Sequence, residues 1–228
     1  MKKIKQMEYT VNIQETGFIT HDVLQIKTDR PANFDFTPGQ ATEVALNKEG
    51  YKSKKRPFTF TSLPSDGFLQ FTIKIYPEHN GVTDKLQTLE AGDELIISDA
   101  WGAISYKGPG TFIAGGAGIT PFISIFKDLA AQNQLEENRL LFANKRERDI
   151  VLDSQFNQWL GADFINILSE EQNPKHAHGR IDQSFIKENA GDLDKNFYVC
   201  GPVPMINSVK EDLQALGVTN KQIITEDL

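Results

Sequence analysis

The stretch FIAGGAGITPF, residues 112–122, decides how this chain of 228 residues is organised. A β-rich run, a glycine turn and the start of a helix follow one another, as in the G-x-G-x-x-G turn that holds a dinucleotide. Gly116 and Gly118 stand at the first two glycine positions, but Pro121 stands at the third. Two interpretations stay open: a turn that binds a nucleotide, and a turn that only packs a helix against a strand.

Thr120 and Pro121 indicate where the helix after this turn begins. Threonine is a good N-cap, and proline suits the first helical position because the N–H it lacks would have no partner there. The turn therefore leads to a helix N-terminus, where free N–H groups favour phosphate. Pro121 removes one donor, and Thr120 and Phe122 add bulk. The sequence thus predicts that a flatter, less charged part of a ligand lies beside the turn.

The chain from residue 108 onward alternates between two kinds of segment. Five β-rich runs (TFIAGG, RLLFAN, FINILS, NFYVCG and QIIT) alternate with four helical stretches. This alternation predicts an α/β domain with a five-stranded parallel sheet and helices on both faces. Gly108, Pro109 and Gly110 form the predicted join, which gives domains of residues 1–107 and 108–228.

The chain before the join reads as short, mostly alternating strands. Six of them (EYTVNI, VLQIKT, ATEVAL, RPFTFTS, FLQFTIKIY and DELIIS) are separated by turn signals such as TPGQ and PSDG. Six short strands in about a hundred residues are typical of a small antiparallel barrel. The one helical piece is VTDKLQTL, residues 82–89, in which Thr83 is the predicted cap.

Composition and charge exclude several classes of protein. A net charge of −7 argues against a nucleic-acid surface, and no apolar run approaches the ~20 residues of a membrane span. Cys200 is the only cysteine, so no disulfide within the chain and no cysteine-ligated metal site is expected. The histidines are scattered, and no metal is predicted. A cytoplasmic protein is the simplest expectation.

Four motifs in chain order resemble the ferredoxin-NADP reductase superfamily, and most of all its cytochrome b5 reductase-like and flavodoxin reductase-like members. They are RPFTFTS (residues 56–62), GVT (81–83), GGAGITPF (115–122) and CGPVPM (200–205). The resemblance covers nearly the whole chain. It implies that residues 1–107 form an FAD-binding Greek-key β-barrel and that residues 108–228 form a domain that binds a nicotinamide nucleotide.

The resemblance places the flavin on two segments of the barrel. On the first, Arg56 binds a phosphate, Phe58 covers the isoalloxazine, and the Thr59 hydroxyl lies near the flavin N5. A helix start on the second segment holds the pyrophosphate. An ordinary solvated strand face is an equal alternative for two residues of this segment, Lys74 and Tyr76. The implied flavin-binding residues are Arg56, Pro57, Phe58, Thr59, Ser62, Lys74, Tyr76, Gly81, Val82 and Thr83.

The resemblance also implies the nicotinamide site. Cys200 contacts the nicotinamide ring as a small, polarizable group, and Glu226 matches a carboxylate found near the nicotinamide in some members. Leu228 stands where several relatives end in an aromatic residue, and a frayed C-terminal tail is the alternative for both Glu226 and Leu228. The other residues implied here are Gly116, Gly118, Thr120, Pro121, Gly201, Pro202 and Met205. The residues assigned to catalysis are Thr59, Thr120, Cys200 and Glu226.

A cation-rich loop, NKRERD (residues 144–149), follows the second strand of this domain, where relatives bind the adenosine end. We expect Lys145, Arg146 and Arg148 to hold a 2′-phosphate. Ser169 replaces the acidic residue that excludes this phosphate in NADH-specific relatives, which favours NADPH over NADH. A solvated charged loop is the alternative.

The function that these residues imply is an FAD-dependent NAD(P)H oxidoreductase that passes electrons to a separate acceptor. An acidic carrier such as flavodoxin or ferredoxin is expected, because Lys52, Lys54 and Lys55 precede Arg56 as a positive rim to which Lys2, Lys3 and Lys5 add. Alternatively, these lysines only keep an edge strand soluble. The second candidate function is a flavin-bearing electron-transfer subunit of a larger oxidoreductase or oxygenase complex.

Overall fold

The computed structural model describes residues 7–76, 81–102 and 104–226, so Lys2, Lys3, Lys5 and Leu228 lie outside the described residues. The chain divides into two compact units, one ending at Gly102 and the other comprising residues 103–228. The predicted domain limits, 1–107 and 108–228, stay a prediction.

The first unit is a six-stranded antiparallel sheet that nearly closes into a barrel. Its strands follow the order β4-β3-β6-β1-β2-β5, and an isolated bridge between Phe60 and Phe71 brings the two edges together. The connections from β2 to β3 and from β5 to β6 join strands that are not neighbours, which makes the barrel a Greek key. The strands are β1 (Glu8–Phe18), β2 (Val23–Asp29), β3 (Ala41–Leu46), β4 (Arg56–Thr59), β5 (Phe68–Lys74) and β6 (Glu94–Ser98), and the helix is α1 (Val82–Leu86).

The barrel core is aromatic at its closing edge. Phe36, Phe60 and Phe71 are buried, with ring centroids 4.5 Å apart for the first pair and 5.4 Å for the second. Each buried ring of this kind stabilises a fold by about 1.5–3 kcal/mol. The core therefore fixes β4, with Arg56 at its start, beside β5.

The second unit is a parallel sheet of order β10-β9-β8-β7-β11-β12. It has six strands rather than the predicted five, because Ala177 and His178 pair with the end of β9. A strand of two residues has no alternation that a sequence pattern could reveal. The strands are β7 (Gly110–Gly115), β8 (Arg139–Asn144), β9 (Phe164–Leu168), β10 (Ala177–His178), β11 (Asn196–Cys200) and β12 (Ile223–Thr225).

Helices cover both faces of this sheet. Phe126 of one helix packs on Phe112 of β7 and on Phe156 of the next helix, with ring centroids 4.6 and 5.8 Å apart. On the other face, Ile186 and Val209 join a core with β7 and β11. The helices are α2 (Thr120–Ala131), α3 (Asp153–Leu160), α4 (Gln183–Asn189) and α5 (Val203–Ala215). The strand order reverses between β7 and β11, and ligands of open α/β sheets bind at such a point.

Two predicted helix caps are wrong. A 3₁₀ turn, Gly116–Ile119, runs directly into α2, so Thr120 is the first helical residue and its Oγ1 donates to the Ala117 carbonyl oxygen (3.1 Å). Gly81 is the N-cap of α1, and Thr83 lies inside that helix. At α2 the preceding 3₁₀ turn leads into the helix, and at α1 no side chain of the described residues caps the helix start.

Within the described ranges, no helix combines the length and the apolar composition that crossing a membrane requires. The cytoplasmic location stays a prediction.

Candidate functional site

Arg56 begins β4 on the surface of the first unit. Its side chain is exposed, and among the described residues its guanidinium makes one hydrogen bond, from Nη1 to the Lys55 carbonyl oxygen (2.8 Å). A guanidinium has five N–H donors, so most of them face solvent. Arg56 is therefore able to hold an anionic group by charge-assisted, bidentate bonds.

The other residues of the predicted flavin strand divide between surface and interior. Pro57 is exposed, Phe58 and Thr59 are half-buried, and Phe58 packs on the barrel core. Ser62 is fully buried, and its Oγ accepts the N–H of Gln70 (3.1 Å). The structure thus lines up residues 56–59 along one strand and separates Ser62 from them.

Lys74, at the end of β5, already has a carboxylate partner. Its Nζ lies 2.8 Å from Asp22 Oδ2, and the two side chains are only 23% and 22% exposed. Sequence reasoning missed Asp22, because the two residues meet only through the pairing of Val23 with Lys74 between β2 and β5. Tyr76 is half-buried just beyond the strand.

The second flavin segment begins α1. Gly81 has an extended backbone (φ −98°), and no side chain among the described residues caps this helix start. Val82 is buried and Thr83 is half-buried. The first N–H groups of a helix have no acceptor within it, so the turn at residues 81–83 presents backbone donors.

The lysine loop, residues 51–56, is less positive than its sequence suggests. Lys55 Nζ lies 2.5 Å from Glu8 Oε1, and Lys54 Nζ lies 4.6 Å from the centroid of the Tyr51 ring. Lys52 is exposed, with no ion pair among the described residues. One lysine of the three is therefore paired with an acid.

The glycine turn of the second unit touches the end of the neighbouring strand β11. A Cβ at Gly118 would lie 2.3 Å from the Cys200 carbonyl oxygen, so only glycine allows this approach. Gly116 has φ +51°, and no atom of the described residues lies within 4 Å of the place its Cβ would take. The turn is thus packed at Gly118 and open at Gly116, at the point where the strand order reverses.

Cys200 and Glu226 lie side by side at this edge, because β11 and β12 run in parallel and Val199 pairs with Thr225. Cys200 is 8% exposed. Burial, and then the charge of Glu226, raise the pKa of the Cys200 thiol to about 12. The thiol therefore stays protonated at neutral pH. Because the thiolate is the nucleophilic form, Cys200 offers a neutral, polarizable surface and not a nucleophile. Burial also raises the pKa of the Glu226 carboxyl.

The start of α5 borders the glycine turn. A Cβ at Gly115 would lie 2.3 Å from Met205 Sδ and 3.2 Å from Pro202 Cδ. Pro202 is exposed, and Val203 beside it is 53% exposed. The structure thus brings together, at one edge of the sheet, the predicted residues Gly116, Gly118, Thr120, Pro121, Cys200, Gly201, Pro202, Met205 and Glu226.

The predicted 2′-phosphate cations lie further along the same edge, beside an acid that sequence reasoning missed. Glu170 Oε1 is 3.2 Å from Lys145 Nζ, and Glu170 Oε2 is 3.7 Å from Arg146 Nη2. Arg148 is exposed, with no ion pair in the part of the chain described. Glu170 follows Ser169 directly in the sequence. The sequence alone could therefore have indicated an acid beside the predicted phosphate-binding cations.

These donor sets fit the cofactors that the motifs imply. On the barrel, an exposed guanidinium and a helix start without a side-chain cap among the described residues suit the phosphates of a flavin dinucleotide. On the parallel sheet, the open position at Gly116 leaves room for a ligand at the strand ends. Both units therefore present groups that suit a dinucleotide.

Two protein-family models match the chain, one over its first part and one over its second part. Residues 7–109 match an FAD-binding domain, and residues 112–211 match an oxidoreductase NAD-binding domain. The chain belongs to the ferredoxin-NADP reductase superfamily. It is an FAD-dependent NAD(P)H oxidoreductase, with FAD as cofactor and NAD(P)H as co-substrate.

Individual relatives agree with this assignment. NADH-cytochrome b5 reductase 1 of Neosartorya fischeri is 29% identical over 94% of this chain and 76% of its own length. The 2-halobenzoate 1,2-dioxygenase electron transfer component of Burkholderia cepacia is 25% identical over 93% of this chain and 65% of its own. Among solved structures, the FAD/NAD-binding domain of nitric oxide dioxygenase from Vibrio cholerae has the same fold (TM-score 0.83, 21% identity, 95% of this chain and 96% of that one).

Proposed function

We propose that this oxidoreductase passes electrons from NAD(P)H, through FAD, to a separate protein with an acidic surface, such as a flavodoxin or a ferredoxin. The observation that supports this acceptor is the lysine loop, whose cations directly precede Arg56 on the strand assigned to the flavin. Opposite charges steer the encounter of two proteins. Without such a local positive surface, the net charge of −7 would repel an acidic carrier.

On the barrel, the proposed roles follow from what each group offers. When bound, FAD supplies the redox chemistry, since it takes two electrons from the nicotinamide nucleotide and releases them singly to an acceptor. Arg56 and the N–H groups at residues 81–83 would hold its phosphates. Phe58 would lie against its ring system, and the Thr59 hydroxyl would form a hydrogen bond to it.

On the parallel sheet, the glycine turn would seat the nicotinamide nucleotide. Gly116 leaves the space for it, and Thr120 and Pro121 follow at the helix start. Cys200, as a neutral thiol, would contact the nicotinamide ring without adding charge. Glu226, whose carboxyl pKa is raised by burial, would border the same ring.

The nucleotide preference depends on Glu170. The cations Lys145, Arg146 and Arg148 alone would favour NADPH. Glu170 already pairs with two of them, and a 2′-phosphate would have to compete with it. We therefore propose that NADH is used at least as well as NADPH, as the name of the Neosartorya fischeri reductase suggests for that relative.

A second candidate function is electron delivery to an oxygenase component. The similarity to the dioxygenase electron transfer component supports it, because that match spans 93% of this chain. In that case the lysine loop would dock an oxygenase component in place of a small carrier.

Reversing the charge of the lysine loop tests the docking proposal. Changing Lys52, Lys54 and Lys55 together to Glu should slow the reduction of flavodoxin or ferredoxin and flatten its salt dependence, because the Debye length falls from ~10 Å at 0.1 M to ~3 Å at 1 M salt. Reduction of ferricyanide, which needs no docked surface, should fall less.

A matched control makes the same change of net charge elsewhere: Lys187, Lys210 and Lys221 to Glu. It should slow carrier reduction less than the loop variant. Equal slowing by both variants, or an unchanged rate in the loop variant, would rule out docking on this loop.

A further inference from the structure

Glu147 lies at the centre of a cluster that the nicotinamide site does not use. It begins the 3₁₀ turn Glu147–Asp149 after β8, between the cations Arg146 and Arg148. Its Oε2 accepts a hydrogen bond from Asn173 Nδ2 (2.8 Å). Its Oε1 lies 3.6 Å from His176 Nε2 and 3.7 Å from Lys175 Nζ. Three side chains of the segment between β9 and β10 therefore converge on one carboxylate.

The same two segments are also joined through their backbone N–H groups, with one bond in each direction. The N–H of Glu147 donates to Glu171 Oε2 (3.1 Å), and the N–H of Glu170 donates to the carbonyl oxygen of Lys145 (2.9 Å). Each segment thus both donates to and accepts from the other. This reciprocal bonding fixes the conformation of residues 145–149 relative to the end of β9.

The cluster matters more for the position of the turn Glu147–Asp149 than for the folding stability of the protein. Single exposed ion pairs are worth about 0–1 kcal/mol, and the Glu147 side chain is 45% exposed. His176, however, is only 13% exposed, and the hydrogen bonds between the two segments hold the turn against the end of β9. Holding binding groups in place before the ligand arrives lowers the entropic cost of binding.

We propose that Glu147 is a positioning residue of the nucleotide site, which holds the turn bearing Arg146 and Arg148 ready for the adenosine end of NAD(P)H. The proposal rests on the assignment of the adenosine end to this loop. Glu147 acts through its neighbours and has no contact with the reacting atoms.

The test compares two nucleotides that differ only at the adenosine end. With ferricyanide as acceptor, Glu147→Gln should raise KM for NADH about three- to tenfold, the effect of one lost net hydrogen bond, and leave kcat within about twofold. KM for reduced nicotinamide mononucleotide, which lacks the adenosine end, should not change. Asn173→Ala, which removes the 2.8 Å bond, should give the same NADH-specific rise. The control Glu188→Gln, on the exposed side of α4, should change neither.

The variant Arg148→Gln distinguishes two outcomes: a wrong positioning role for Glu147, and a wrong assignment of the adenosine end to this loop. If Arg148→Gln raises KM for NADH and Glu147→Gln does not, the positioning role is wrong and the site stands. If Glu147→Gln impairs both nucleotides equally, Glu147 is only a structural residue. If neither variant changes KM for NADH, the loop does not bind the adenosine end, and the positioning role is wrong with it.

Discussion

Two loops of this chain are almost equally rich in cations and differ in what those cations contact. In KSKKR (residues 52–56), Arg56 is exposed and donates to a backbone carbonyl oxygen only, as far as the described residues go. In KRER (residues 145–148), Lys145 and Arg146 share the carboxylate of Glu170. Four of the five residues in the first loop and three of the four in the second are cations. Only their partners show which cation is available to a phosphate.

The difference follows from where each loop lies in its sheet. Arg56 begins β4, at the end of the strand order of the barrel, where one side of the strand has no full neighbour. Lys145 follows β8, an inner strand of a parallel sheet. The carboxyl ends of parallel strands lie at one edge, so the loop after β8 meets the acids that follow β9. A cation at a parallel-sheet edge is therefore more easily neutralised by the next loop.

The largest effect should come from removing the available cation. Arg56→Ala should weaken flavin binding by about 1.5–3 kcal/mol, roughly ten- to a hundredfold in affinity, as for a lost charge-assisted bond. Lys54→Ala removes a cation that lies over Tyr51, and it should retain flavin like the unchanged protein. The flavin content of the purified variants, followed by titration with FAD, measures both. Equal flavin content would mean that Arg56 does not hold the phosphate.

A smaller effect should come from freeing the neutralised cations. Glu170→Gln leaves Lys145 and Arg146 without their carboxylate, so a 2′-phosphate no longer competes with it. We expect kcat/KM for NADPH to rise about two- to fivefold relative to NADH, the scale of an exposed ion pair. Glu188→Gln, which makes the same change of charge on the exposed side of α4, is the control and should leave the ratio unchanged. A ratio that stays constant in Glu170→Gln would show that these cations do not meet the 2′-phosphate.

The sequence predicts the order of the elements well because the signals are local. The change from short alternating strands to strand–helix alternation, together with four motifs in order, predicts an antiparallel barrel followed by a parallel α/β sheet. Local signals fail where a contact depends on register. Asp22 beside Lys74, Glu8 beside Lys55 and the two-residue strand β10 arise only once distant segments pair. The cap at Thr120 fails because a 3₁₀ turn runs into α2, and the cap at Thr83 fails because α1 already begins at Val82.

Mixing the purified chain with NADH or NADPH, without oxygen and without any other protein, tests the central claim most directly. The flavin extracted from the protein should have the mass of FAD. The yellow absorbance of the bound flavin should bleach on mixing and return when ferricyanide is added, because this chain alone provides both the flavin site and the nucleotide site. A protein that retains FAD but stays fully oxidised with both nucleotides would contradict the account.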